Sequence, residues 1–75
     1  MSEMQVMDPT GHLTISWDVD NEAETEHAES VFDDMVGQKG YRAFRVAKGG
    51  GQGTPIREFD SSAEQMILLP ALRGG

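Results

Sequence analysis

The chain has 75 residues, a formal net charge of −7 and no cysteine. A chain of this length buries only about 60% of its unfolded surface, so a deep cleft between two lobes is not expected. Without cysteine it has no disulfide framework, thiolate metal site or thiol nucleophile. The longest apolar run, residues 66–69, is far shorter than a membrane span, and the N-terminal residues lack the pattern of a signal peptide. The composition predicts a small acidic domain, neither membrane-embedded nor secreted through a signal peptide.

The charges are distributed unevenly along the chain. Residues 1–34 contain ten acidic residues and no lysine or arginine, whereas residues 35–75 contain three acidic and six basic residues. The two halves therefore carry −10 and +3. If they pack together, one face of the domain is acidic and another mildly basic, which can steer partners or favour head-to-tail association. The alternative is that these are solvated faces that only confer solubility.

The N-terminal residues predict two strands. Residues 3–7 favour a short first strand, but their alternation is poor, so the alternative is a loose first strand and turn over residues 1–11. The following Asp-Pro-Thr-Gly sequence is typical of a turn. The next strand alternates cleanly and is predicted to be half-buried. Its predicted apolar face consists of Leu13, Ile15, Trp17 and Val19.

A helix is predicted after this strand. Asn21 is a suitable N-cap, and Glu24, three residues later, completes a sequence that resembles a capping box. Gly40 is placed where a left-handed residue would end the helix. Residues spaced as on one helical face form an apolar stripe. They are Ala28, Val31, Phe32, Met35 and Val36.

The remaining residues predict three more strands and no second helix. Residues 41–47 and 54–59 favour strands joined by a flexible glycine-rich loop over 48–53, and a turn follows at 60–64. The apolar run at 66–69 is typical of a strand covered on both sides. We therefore expect a single α+β domain spanning residues 1–75, in which one helix packs on a four- or five-stranded mixed sheet and 71–75 form a flexible tail.

No residue pattern predicts catalysis or a bound cofactor. His12 and His27 are the ordinary acid–base candidates, but no nucleophile motif accompanies them. The acidic residues from 18 to 29 match the ligand spacing of a calcium loop, yet Ala23 occupies the position that requires glycine. The glycine-rich loop lacks the Lys-Ser/Thr of a phosphate loop. We expect a non-enzymatic protein with no metal or cofactor and no small-molecule ligand.

A protein partner is the expected ligand. The basic residues near the predicted third strand favour a small interaction surface, whereas a net charge of −7 disfavours nucleic acid. The candidate surface consists of Tyr41, Arg42, Arg45, Lys48 and Arg57.

The chain resembles ubiquitin and its relatives in element order and in three short sequences. These are Met4-Gln5-Val6, Thr10-Gly11 and the final Leu72-Arg73-Gly74-Gly75. The resemblance implies a β-grasp-like ββαββ(β) fold and a modifier that is activated and conjugated through its glycine tail. It further implies that Gly75 carries the acyl group and that Arg73 guides the tail.

A second resemblance, over about residues 11–75, is to short uncharacterised phage and prophage proteins. It implies a virion-associated or accessory protein, located in the cytoplasm or the virion, and assigns no catalytic residue. The matching sequences are Trp17-Asp18, Gly40-Tyr41-Arg42-Ala43-Phe44-Arg45-Val46, Arg57-Glu58-Phe59-Asp60, Ile67-Leu68-Leu69-Pro70 and the final Gly-Gly.

These observations order the functional hypotheses. The first is a small interaction or structural protein that docks onto a larger assembly, the second a ubiquitin-like modifier. A third is a phage inhibitor that imitates nucleic acid through its acidic surface, whose binding high salt would abolish.

Overall fold

The computed structural model describes residues 1–8, 10–47 and 53–70. Within them the predicted α+β domain is confirmed, with one α-helix and a five-stranded mixed sheet. A π-helical turn, Asp34–Gln38, continues the helix. The elements in chain order are β1 (Ser2–Asp8), β2 (Gly11–Trp17), α1 (Glu22–Asp33), β3 (Arg42–Val46), β4 (Thr54–Ile56) and β5 (Gln65–Leu69).

The strands lie in the order β2-β1-β5-β3-β4. β1 and β5 pair in parallel at the centre, and the other neighbouring strands pair antiparallel. Parallel neighbours need a long crossover between them, and here the intervening chain, including α1, provides it. The arrangement is β-grasp-like.

β1 is a complete strand, so the alternative of a loose N-terminus is wrong. It pairs with β2 along its whole length and with β5 over residues 3–6. Met4 and Val6 are buried beneath the helix, while Gln5 between them is half-buried. Its alternation is weak because Met7, an apolar residue, lies on the face opposite Met4 and Val6.

β2 confirms the predicted half-buried strand but not its full apolar face. Ile15 and Trp17 are buried, whereas Leu13 is 52% and Val19 55% exposed. The prediction was wrong for these two residues for different reasons. Leu13 lies in β2, an edge strand, and among the described residues no further strand lies beside it. Val19 lies beyond the end of β2.

Both ends of the helical segment match their predicted signals. The Asn21 side chain accepts a hydrogen bond from the Glu24 N–H at 3.1 Å, as an N-cap does. The Glu24 carboxylate departs from a capping box, because it accepts from the Asp18 N–H rather than from the cap residue. Gly40 has a φ of +74°, a left-handed conformation that glycine adopts without strain.

The last two strands differ from expectation. β4 ends at Ile56, not at residue 59, because the chain leaves the sheet to place Phe59 against the core. β5 is covered on one face only, so the predicted burial on both sides is wrong. Met66 and Leu68 are fully buried, but Leu69 is 40% exposed, since the single helix covers one face of the sheet. Residues 48–52 of the loop predicted over 48–53, and the whole predicted tail at 71–75, lie outside the described residues.

Phe59 joins the sheet, the helix and the segment before β5. Its ring centroid lies 5.2 Å from that of Trp17 and 5.7 Å from that of Phe32. The Trp17 indole N–H donates a hydrogen bond to the Ser61 carbonyl oxygen at 3.2 Å. Trp17 and Phe32 are among the largest fully buried side chains, so this aromatic cluster is the centre of the core.

Truncation of Phe59 should destabilise the fold more than truncation of a phenylalanine on the sheet face opposite the helix. We expect Phe59→Ala to lower the free energy of unfolding by about 2–3 kcal/mol, because two aromatic contacts and core burial are lost. Phe44→Ala, at another half-buried phenylalanine but on the opposite sheet face, should cost about 1 kcal/mol. Urea denaturation of both variants measures the difference. Equal losses would contradict the central role of Phe59.

Candidate interaction surface

The sheet face opposite α1, here called the outer face, has no covering element among the described residues. Strand register places five side chains in one row across it. Gln5 lies opposite Thr14 on one side and Ile67 on the other, and Phe44 lies opposite both Ile67 and Pro55. Because directly opposed residues share a face, this row crosses all five strands.

The outer face combines apolar and basic side chains. Ile67 and Phe44 are half-buried near its centre, and Leu69 is 40% exposed. Arg42 lies directly opposite Leu69 on the neighbouring strand. An aliphatic and aromatic centre with arginine beside it has the composition of a protein-binding surface.

Three of the five residues predicted for the interaction surface come together. Tyr41, Arg42 and Arg57 line one cleft at the β3–β4 side of the sheet, together with Phe44 and Pro55. Val36, Ala43 and Ile56 line the cleft from the helix-covered side of the sheet, so it lies at the β4 edge and borders the outer face through Phe44 and Pro55. Neither histidine nor any acidic residue lines it.

The other two predicted residues do not join this cleft. Arg45 lies opposite Met66, on the face that α1 covers, because residues three apart in a strand point to opposite sides. Lys48 lies outside the described residues, as do Arg73, Gly74 and Gly75 of the predicted conjugation tail.

Arg45 takes part in a structural ion pair. Its Nη1 lies 3.0 Å from Oδ2 of Asp60. The other Asp60 oxygen accepts hydrogen bonds from the Ser62 hydroxyl at 2.6 Å and the Ser62 N–H at 3.0 Å. The Ser62 hydroxyl, then Arg45, then the Ser62 N–H lower the pKa of the Asp60 carboxyl from its usual 3.8. The pair fastens the segment before β5 to β3.

Tyr41 is held at the rim of the cleft by the β1–β2 turn. Its hydroxyl donates a long 3.5 Å hydrogen bond to Oδ2 of Asp8. The Thr10 N–H and hydroxyl bind the other Asp8 oxygen and lower the pKa of this carboxyl. Partial burial and the Asp8 charge raise the pKa of Tyr41. Tyr41 therefore presents a neutral hydroxyl beside Arg42 at physiological pH.

The residues considered for acid–base or metal chemistry are dispersed. His12 lies on β2 and His27 on α1, and both side chains are exposed. Asp18 accepts a hydrogen bond from the Asp20 N–H within its own turn. Over residues 1–8, 10–47 and 53–70, no three histidine, aspartate or glutamate side chains are grouped to hold a metal ion. The same residues contain no helix that could span a membrane.

Sequence reasoning missed the apolar part of the surface. Ile67 and Leu69 belong to a run predicted to be covered on both sides, and Phe44 is not among the residues predicted for the interaction surface. A signal was available, because a chain with one predicted helix can cover only one face of its sheet.

Replacing Asp60 should flatten the acid dependence of stability. The folded-state pKa of Asp60 is lowered, so its contribution is present above about pH 4 and is lost as pH falls through the folded value. We expect Asp60→Asn to reduce stability at pH 7 by no more than about 1 kcal/mol, since the ion pair is largely exposed. Below pH 4 the Tm curves of wild type and variant should converge. Circular dichroism melts across pH measure this, with Glu58→Gln as an exposed control on the same segment. Parallel curves for D60N and wild type would contradict the assignment.

Comparison with models of protein families, with curated proteins and with solved structures found no match to this chain. The two resemblances noted in the sequence therefore stay predictions. Function has to be argued from the geometry of the described residues.

Proposed function

We propose that this chain is a non-enzymatic interaction protein that docks onto a larger protein assembly through its outer face. The observation that carries the proposal is the uncovered apolar centre formed by Phe44, Ile67 and the 40% exposed Leu69. Contiguous apolar surface of this kind is typical of binding sites, whereas isolated exposed apolar residues are ordinary.

The chemistry around this centre defines the partner. Tyr41, Arg42 and Arg57 border the apolar side chains at one end of the outer face. Tyrosine and arginine are enriched among the residues that contribute most to protein binding. A fitting partner presents an apolar patch with a carboxylate beside it, so that Arg42 or Arg57 pairs with the carboxylate when water is excluded.

The motif resemblance to phage proteins favours a particular biological context for this binding surface. In the proposed setting the chain is a virion-associated or accessory component, and its partner is a subunit of the particle or of its assembly machinery. A domain that binds through one face of a rigid sheet suits such a role, because the binding side chains keep fixed spacings across neighbouring strands.

Site-specific crosslinking tests this proposal. A photoreactive phenylalanine analogue replaces Phe44, and the matched control places it at Val19, which is exposed but lies outside the outer face. We expect irradiation in phage-producing cells of the source to crosslink the Phe44 variant to a particle subunit, identified by mass spectrometry. The Val19 variant should give at least about tenfold less of this product, as the contact of a specific interface requires.

Two outcomes would overturn the docking proposal. One is equal crosslinking from both positions, which indicates random collision. The other is a Phe44 variant that yields no protein adduct while the purified particle still contains the chain. A further variant combines Leu69→Lys with the photoreactive analogue at Phe44. Because residue 69 is exposed, lysine should leave the fold intact while the crosslink to the partner is lost.

A ubiquitin-like modifier is the second candidate. The β-grasp-like order of strands favours it, since β5 leads directly towards Leu72-Arg73-Gly74-Gly75. In this role an activating enzyme transfers AMP from ATP to the Gly75 carboxylate and releases pyrophosphate. A lysine amine of the target, directly or after an enzyme thiol, then displaces AMP from the acyl carbon and forms the amide. Two glycines suit a narrow enzyme channel because they lack side chains.

Conjugation in cells of the source separates the two candidates. If the chain is a modifier, tagged protein with a free Gly75 carboxylate should form higher-mass adducts containing an isopeptide from Gly75 to lysine. Gly75→Asp should abolish these adducts without changing the Tm, because residue 75 follows the described domain. If wild type and G75D give the same products, the modifier hypothesis fails and the docking proposal is unaffected.

A further inference from the structure

The free edge of β2 is a second surface, separate from the outer face. Within the described residues β2 pairs only with β1, so one row of its backbone N–H and C=O groups points away from the sheet. Its seven residues, Gly-His-Leu-Thr-Ile-Ser-Trp, contain no proline, lysine, arginine or carboxylate. The opposite edge strand, β4, has three residues with Pro55 in the middle. Short length and proline protect edges from further pairing, and β2 has neither protection.

A groove runs between the edge of β2 and the helical segment. Leu13 forms its floor on the β2 side, and Val31 and Met35 line the helical side. Leu13 is 52% exposed although it points to the same side of the sheet as the buried Ile15 and Trp17. The groove therefore offers an apolar contact next to unpaired backbone, which is the combination that an added strand uses.

The polar side of the groove is acidic. Asp33 and Asp34 line it and are exposed, and His27, Ser30 and Gln38 are its other polar side chains. Both β2 and α1 belong to residues 1–34, which contain ten acidic residues and no lysine or arginine. Charge complementarity therefore selects a positively charged occupant.

A second copy of this chain fits the groove poorly. Pairing of two β2 edges around a twofold axis places both α1 helices beside the new junction, because each helix lies against its own β2. The two acidic helices would repel each other there. A partner segment with lysine or arginine meets the same backbone without this repulsion.

We propose that the β2–α1 groove binds an extended basic segment of a partner protein, which adds to the sheet as a sixth strand. Backbone hydrogen bonds to β2 supply the pairing. Alternate residues of the segment face the groove, where an apolar side chain contacts Leu13, Val31 and Met35, and lysine or arginine side chains on the same face of the segment pair with Asp33 and Asp34. The outer face plays no part in this binding, so the inference is independent of the docking proposal.

Two capped peptides test this inference on the intact protein. The basic probe is Lys-Thr-Val-Thr-Lys, whose valine and two lysines lie on the same face of an extended strand, and the acidic probe replaces both lysines by glutamate. Titration followed by amide NMR should give saturable shifts at residues 11–17 and 31–35 with the basic probe alone. Raising salt should weaken this binding, because exposed charge pairs are screened.

Matched variants identify the residues of the groove that bind the basic probe. Leu13→Lys should weaken the basic probe at least about tenfold, since an apolar contact is replaced by a like charge. Val19→Lys adds the same charge at an equally exposed residue outside the groove, and should have a much smaller effect. The double change Asp33→Asn and Asp34→Asn should weaken binding about fivefold, whereas Glu22→Gln with Glu29→Gln should change it less than about twofold.

Four other results would each overturn the inference. Equal binding of both probes removes the charge argument, and shifts confined to β3 and β5 assign the peptide to the outer face. A dimer in sedimentation that Leu13→Lys dissociates shows that a second copy occupies the edge. Absence of any saturable shift, with wild type folded by its amide spectrum, shows that the edge does not accept a strand.

Discussion

One helix of twelve residues has to cover a sheet of five strands, and the rest of the structure depends on how it does so. The helix buries Ala28 and Phe32 in one core cluster with apolar side chains of β1, β2, β3 and β5. Phe59 then fills the space between Phe32 and Trp17, which brings the segment after β4 into the core. These aromatic contacts lie on the helix side of the sheet, and no element of the described residues covers the other side.

The same constraint produces both candidate binding surfaces. On the outer face no element of the described residues lies over Ile67 and Leu69, so these two apolar side chains remain partly accessible. At the edge, the helix reaches β2 but leaves Leu13 half open. The surfaces differ in charge, because arginines border the outer face and aspartates border the groove. A small domain can therefore offer two partners different chemistry without a cavity of any depth.

The two arginines of β3 lie in different surroundings. Arg45 is neutralised by Asp60 and fastens a connecting segment, so it contributes to the fold rather than to a basic surface. Arg42, three residues earlier in the same strand, points to the outer face beside Leu69. Strand alternation thus divides a basic cluster that looks continuous in the sequence into a structural and an accessible part.

The sequence by itself determined the α+β class, the helix with its Asn21 cap and Gly40 end, and the alternation of β2. These are local properties, set by hydrogen bonding and spacing within a few residues. Only the tertiary structure decided that β1 is a central strand, that β4 stops at Ile56, and which face of β5 is buried. Those outcomes depend on neighbours distant in the chain, since strand order, not sequence pattern, decides which side chains an adjacent strand or helix covers.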